Sequence, residues 1–162
     1  MPEIIIIAHN IRSTHNVGAI FRTAEGFGVA KIILSGYSPY PRIPHDPRLP
    51  HISEKLTNQI HKTALDAEKM VPFEYIEAPP LESLKKEGYR IVGLEQEDRS
   101  INLADYRAPE KIALLIGEEV HGIEAKLLAE CEDILEIPMV GKKESFNVSV
   151  ATGIALYALV TH

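Results

Sequence analysis

The sequence predicts a single α/β domain: a mainly parallel sheet flanked by helices. Two observations carry that prediction. Short runs of β-branched and apolar residues alternate with longer stretches of helical periodicity, which is the pattern of βαβ units. Within the short runs the apolar residues are consecutive rather than alternating, as expected of strands buried on both faces. The 162 residues suit one compact domain. No repeat, low-complexity tract or break in composition divides them, so residues 1–162 are expected to form one unit.

The elements follow in order. Ile4 to Ile7 is the first strand. Asn16 stands where a helix cap is wanted, and that helix should run to Phe27 with Ile20, Ala24 and Phe27 inward and Gly26 and Gly28 as its stop. Lys31 to Leu34 is a second strand. Residues 53–70 have the period of a helix, with Ser53 as cap and Leu56, Ile60, Ala64 and Ala67 inward. Phe73 to Ile76 is a short strand, and Leu81 to Glu87 a short helix ended by Gly88. Tyr89 to Leu94 and Lys111 to Ile116 are further strands. Ile123 to Cys131 is a helix, Ile134 to Ile137 a short strand, and Asn147 to Val160 a final apolar helix.

About 45% of the residues are apolar, enough for a core without disulfides or metal. The single cysteine, Cys131, excludes an intrachain disulfide. No apolar run approaches the roughly 20 residues that span a bilayer. The opening Met1-Pro2-Glu3-Ile4 is too acidic, and its apolar run too short, for a signal peptide, so a cytoplasmic location is expected. The net charge of −6 does not advertise a polyanion partner, but it is unevenly spread. Residues 1–62 hold seven Lys/Arg against four Asp/Glu, a net of +3, which leaves −9 on the rest. A nucleic acid would therefore meet the N-terminal part.

Residues 38–50 break the pattern. Five prolines in thirteen positions forbid a helix and a central strand. Arg42, Arg48, His45 and His51 would face an anionic partner from this loop. An inert, exposed excursion is the alternative.

Three segments carry chemistry. Asn10 to Ala24 follows the first strand and opens the first helix, where free N–H groups attract an anion and Gly18 lets a backbone come close. Arg22 lies on the polar side of that helix. Ile112 to Ile123 runs a buried strand into Gly117-Glu118-Glu119-Val120-His121-Gly122. It has neither the Lys-Ser/Thr of a P-loop nor the spacing of a dinucleotide fingerprint. Ile137 to Ala151 takes a strand into a loop where Ser145, Asn147 and Ser149 crowd the start of the last helix. One cap needs one of them, which leaves polar groups for a ligand.

Read together, N-x-G-A-I-x-R-T-A, I-G-x-E-x-x-G and I-P-M-x-G-x-x-x-S-x-N-V-S resemble motifs 1, 2 and 3 of the SpoU (TrmH-like) branch of the SPOUT superfamily, in order and over nearly the whole chain. The resemblance implies an RNA 2′-O-ribose methyltransferase that uses S-adenosylmethionine. It implies a C-terminal deep trefoil knot and a homodimer. Carried over by position, Asn16, Arg22, Ser145 and Asn147 are the expected catalytic residues. Leu94, Gly117, Glu119, Gly122, Ile137, Met139, Ser145, Phe146 and Asn147 are expected at the cofactor. Arg12, Arg22, Arg42 and Arg48 are expected on RNA, and no metal is expected. Glu118 stands where the family often has Asn, and Phe146 where Leu or Met is usual; both are variable positions. The chain resembles the minimal, single-domain members, which include tRNA ribose methyltransferases, so tRNA is favoured over rRNA. An accessory protein for RNA recognition fits the lack of a dedicated RNA-binding domain.

Under this resemblance the reaction is an in-line displacement at the methyl group of a sulfonium. The family proposal makes the motif-1 arginine the proton acceptor. Arginine is a permanently charged group, so Arg22 is better read as a clamp on the neighbouring phosphate and the developing alkoxide. A dimer interface is expected along the last helix, through Val148, Ile154, Leu156, Tyr157 and Leu159. Three rival readings stand beside this one: a non-catalytic nucleotide-binding module, a metal site from His45, Asp46 and His51, and methyl transfer to a base.

Overall fold

The computed structural model describes all of residues 1–162. Seven strands form one parallel sheet: β1 (Glu3–His9), β2 (Lys31–Ser35), β3 (Phe73–Ile76), β4 (Arg90–Leu94), β5 (Ile101–Asn102), β6 (Lys111–Ile116) and β7 (Asp133–Glu136). Their order across the sheet is β3-β2-β1-β6-β4-β7-β5, and every pairing is parallel. Six helices accompany them: α1 (Thr14–Gly26), α2 (Pro50–Ala64), α3 (Ala67–Met70), α4 (Leu81–Lys86), α5 (Ala125–Glu130) and α6 (Val148–Thr161).

The run Ile4–Ile7 shows why the strands read as continuous apolar stretches. Alternate side chains leave opposite faces of a strand. Ile4 and Ile6 join the core under α1, α2 and α6, while Ile5 and Ile7 join the core on the other face with Leu84, Ile91 and Ile134. Both faces are covered, so every position must be apolar.

Sequence order and sheet order part company after β3. The chain crosses to lay down β4, passes through β5 and a single 3-10 turn (Leu103–Asp105), and returns to place β6 between β1 and β4. After α5 it inserts β7 between β4 and β5. The connection 95–100 therefore lies beside the carboxyl end of β7: the Glu95 N–H donates to the Leu135 carbonyl (3.0 Å), and Gln96 Nε2 donates to the Ile137 carbonyl (3.3 Å). From there α6 comes back to pack on α1, where Gly153 faces Thr23.

Several boundaries differ from expectation. Ser13, not Asn16, caps α1: its hydroxyl accepts from the Asn16 N–H at 3.1 Å. Asn16 thus sits inside the first turn, and its side chain is not used as the cap. The stretch 53–70 is not one helix. It begins three residues earlier, with Pro50 in the first turn where the missing N–H costs nothing. It breaks at Leu65 and Asp66, both in the left-handed region (φ 50° and 78°), before α3. Ser53 is buried within the first turn, its hydroxyl donating to the Pro50 carbonyl at 3.1 Å. The two-residue strand β5 is too short to leave a period in the sequence. No helix is long and apolar enough to cross a membrane.

Gly18 is buried where α1 crosses α2. A Cβ there would lie 2.0 Å from Thr63 Oγ1 and 2.3 Å from the Ile60 carbonyl. Gly18→Ala must push the two helices apart, and overpacking of this kind costs about 1–3 kcal/mol. We expect thermal unfolding to show it as a Tm lowered by roughly 2–4 °C per kcal/mol in a domain of this size; an unchanged Tm would contradict the close crossing.

Candidate functional site

Because all seven strands run the same way, the loops after β1, β4, β6 and β7 emerge at one edge, where ligands of open α/β sheets sit. The three segments singled out in the sequence meet there.

The loop after β6 turns through Gly117-Glu118-Glu119. The two glutamates point in different directions and do different things. Glu118 folds inward, 8% exposed, and its carboxylate accepts from the N–H of His121 (2.7 Å) and of Val120 (3.2 Å). Those backbone donors hold its carboxyl below the usual carboxylate range, and desolvation works against them. Glu118 is thus the residue that shapes the turn. Glu119 reaches across to the first segment. Its Oε2 accepts from the Arg12 N–H (3.2 Å), and its Oε1 from the Ser13 N–H (3.3 Å) and Asn16 Nδ2 (3.2 Å). Asn16 Oδ1 in turn accepts from Asn147 Nδ2 at 3.3 Å. Asn147 caps α6, its Oδ1 accepting from the Ser149 N–H (2.9 Å) and hydroxyl (2.6 Å). One connected set of hydrogen bonds therefore joins residues 12–16, 119 and 147–149.

Beside this set lies a cavity of about 300 Å³. Leu94, Ile116, Leu135 and Ile137 supply apolar lining, and Gly117, Gly122, Glu144, Ser145 and Phe146 line it as well. A Cβ on Gly117 would lie 2.7 Å from the Gly122 carbonyl. Gly122 has φ +70°, and a Cβ there would lie 1.9 Å from Glu95 Oε2. Position 117 requires glycine for space, since the clash is with backbone, and position 122 favours it for conformation.

Of the residues expected at a cofactor, Leu94, Gly117, Glu119, Gly122, Ile137, Ser145 and Phe146 line this cavity. Met139 does not; it is half-buried two residues past Ile137. Asn147 stands beside the cavity and faces Asn16 instead. Glu95, which the sequence analysis passed over, also lines it, accepting from the Ile123 N–H (3.0 Å) and its neighbour's Gln96 N–H (3.0 Å). In the acidic run 95–98 nothing marks it out; only the strand end at Leu94 could have.

The expected RNA-facing arginines divide. Arg12 is exposed, with Nε 3.5 Å from Glu118 and its guanidinium 5.6 Å from the centre of the Tyr37 ring. Arg22 is exposed and makes no hydrogen bond or ion pair. Six residues on from Asn16, it lies about 120° around α1 and about 9 Å along it, outside the lining of the cavity. Arg42 is exposed, and its backbone N–H is tied to Thr57 (2.8 Å). Arg48 requires a correction. Four of its five N–H donors are engaged: Nε and Nη2 on Asp46 (2.9 and 2.6 Å), and Nη1 and Nη2 on the carbonyls of Tyr40 (2.8 Å) and Pro41 (3.2 Å). The guanidinium also stacks on the Tyr40 ring at 3.6 Å, and Tyr40 stacks on Tyr75 at 4.3 Å. Arg48 holds residues 38–50 in place and is not free to follow phosphates. Asp46 is taken by Arg48, so His45, Asp46 and His51 form no ligand group; the one cluster of that kind is His61, Asp66 and Glu68.

The profile of the SpoU rRNA Methylase family matches residues 3–157. The chain belongs to the SpoU rRNA Methylase family. Among its relatives is the mouse tRNA (guanosine(18)-2′-O)-methyltransferase, 32% identical over 97% of this chain and 9% of that protein. Another is the 23S rRNA (guanosine-2′-O-)-methyltransferase RlmB of Pseudomonas putida, 30% identical over 98% of this chain and 59% of that one. The fold matches that of the AdoMet-bound rRNA methyltransferase from Sinorhizobium meliloti at a TM-score of 0.80 and 22% identity, covering 96% of this chain and 55% of that one. The chain thus spans only part of the length of each of these proteins.

The Arg48–Asp46 pair gives a direct test of the loop. The guanidinium holds the Asp46 carboxyl well below its usual range. A lowered carboxylate pKa stabilises the fold at all pH above the usual value of about 3.9, and the contribution is lost as pH falls through the lowered one. We expect Asp46→Asn, at neutral pH, to speed tryptic cleavage after Arg42 and Arg48, read by mass spectrometry. Cleavage as slow as in the parent would show that the pair does not order the loop.

Proposed function

We propose that this chain is an S-adenosylmethionine-dependent RNA methyltransferase acting on a ribose 2′-hydroxyl. The observation that carries the reading is the meeting of three distant segments, through Glu119, Asn16 and Asn147, beside a cavity at the carboxyl ends of parallel strands. The cavity suits the cofactor by its chemistry. Its apolar part can take an adenine, Ser145 offers a hydroxyl, and Glu95, Glu119 and Glu144 offset a sulfonium cation. When bound, the cofactor supplies a methyl group on a good leaving group. The known activities of the mouse and Pseudomonas relatives support ribose over base, and tRNA or rRNA as substrate. The likeness to minimal members favours tRNA.

The residues divide the work as follows. Leu94, Gly117, Gly122, Ile137, Ser145 and Phe146 hold the cofactor, while Asn16 and Asn147 position the ribose at the open edge. Arg22, on the solvent face of α1 and unpaired, clamps the adjacent phosphate and offsets charge developing on the 2′-oxygen. Arg12 and Arg42 contribute further phosphate contacts.

The same reading includes a homodimer. α6 keeps an open apolar face: Val150, Ile154 and Tyr157 are 50%, 37% and 61% exposed, and Tyr157 lies edge-on to Phe27 of α1. Leu156 and Leu159, expected at that interface, are buried in the core instead, and Val148 is half-buried. The face belongs to α1 and α6 together. We also propose that residues 137–147 thread beneath the 95–100 connection to form the knot; the insertion of β7 between β4 and β5 supports this. An accessory protein and a cytoplasmic location remain part of the proposal.

The test is methyl transfer from labelled S-adenosylmethionine into unmodified tRNA and rRNA, followed by digestion to nucleosides. Label in a 2′-O-methyl nucleoside is expected, and Arg22→Lys, which keeps the charge but loses the planar fork, should lower kcat/KM by at least about tenfold, the low end for a lost transition-state contact. Label in a base would overturn the ribose reading. Cofactor binding without label in either RNA would point to a missing accessory protein or to a non-catalytic module. Near-full turnover by Arg22→Lys would overturn the clamp.

A further inference from the structure

Tyr37 is an exposed aromatic on a rigid mount. It retains 52% of its surface, yet its neighbours are fixed on both sides. Gly36 before it adopts φ +63°, its N–H donates to the Glu77 carbonyl (2.9 Å), and its own carbonyl accepts from the Tyr75 hydroxyl (2.6 Å). Ser38 after it is 2% exposed, donating to the Ala8 carbonyl and accepting from the Ile11 N–H, both at 2.8 Å. Asn10, itself left-handed at φ 57°, turns its Oδ1 onto the Tyr37 N–H at 3.0 Å. Asparagine is one of the few non-glycine residues that adopts this region readily, so the turn is held without strain. The backbone is held so that the ring stands outward.

The ring's position completes the case. Arg12 spans the distance from the cofactor cavity to Tyr37: its Nε lies 3.5 Å from Glu118, which lines that cavity, and its guanidinium 5.6 Å from the Tyr37 ring centre. Both residues line a second hollow of about 630 Å³, beside the start of α1, whose far side holds Gln59. Eleven of its twelve lining residues fall within residues 1–62, the segment with a net charge of +3. An open ring next to a guanidinium is the combination that stacks nucleobases, because every base has a π-face and the cation holds the phosphate beside it.

We propose that Tyr37, with Arg12, is a stacking platform for an unpaired RNA base flanking the nucleotide that is methylated. This inference rests on the methyltransferase reading above and names a substrate feature for it: a single-stranded, splayed-out neighbour. It predicts little dependence on which base that neighbour is.

The test measures the affinity of the whole chain for unmodified bulk tRNA and rRNA, and separately for S-adenosylmethionine, in the parent, Tyr37→Ala, Tyr37→Leu and Tyr37→Phe. Loss of one stacked base should weaken RNA binding by roughly 5- to 150-fold. Tyr37→Ala and Tyr37→Leu should both show that loss, Tyr37→Phe should bind RNA like the parent, and cofactor affinity should not change in any of them. RNA affinity unchanged in Tyr37→Ala would overturn the platform while leaving the methyltransferase reading intact. Equal loss in Tyr37→Phe and Tyr37→Ala would assign the effect to the hydroxyl and overturn it too. A parent chain that binds neither RNA would overturn both.

Discussion

The carboxylate of Glu119 is the joint of this structure. It accepts from the N–H groups of Arg12 and Ser13 and from the Asn16 side chain, and so ties the loop after β6 to the start of α1. Asn16 passes the connection to Asn147 and hence to α6. An ionised acceptor makes stronger hydrogen bonds than a neutral one, and a carboxylate at a helix N-terminus also meets the favourable end of the helix dipole. The cavity lies between elements that this joint fixes relative to one another. Without it the polar ties from the loop after β6 to this end of β1 and the first segment would be the contacts Arg12–Glu118 and His9–Glu124.

The two neighbouring glutamates show how sequence position and role separate. Glu118 and Glu119 are adjacent and chemically identical, yet one shapes its own turn and the other bridges more than a hundred residues. The same division recurs among the arginines. Arg48, on a proline-rich loop, looks like a phosphate ligand by composition but is a structural clamp. Arg12, next to a buried core residue, keeps its guanidinium exposed beside Glu118. Arg22 is open as well, about two turns along α1 from Asn16.

What the sequence made legible follows from periodicity. The run Ile4–Ile7 announces a strand covered on both faces, and the βαβ order and the final apolar helix read out in the same way. The motif residues Asn16, Glu119, Ser145 and Asn147 came from resemblance, and their convergence is a tertiary fact that no local pattern contains. Misreadings occurred where a local signal had two solutions. Ser13 and Asn16 are both good caps three residues apart, and Glu119 takes the side chain of the second. The helical period of 53–70 continues across Leu65 and Asp66 because only the backbone turns left-handed there. Leu156 and Leu159 of α6 are apolar like Ile154 and Tyr157, and only packing decides which pair stays outside. Glu95 gave no signal, since its role depends on the distant Ile123 N–H.

The most direct test of this account is a double-mutant cycle on Glu119→Ala and Asn16→Ala, with stability measured by chemical denaturation. If Glu119 and Asn16 form one connected joint, the two losses should fall short of additive, with a coupling above about 0.5 kcal/mol. Losses that add within that margin would show that the two residues act independently, and the three segments would then need another cause for their convergence.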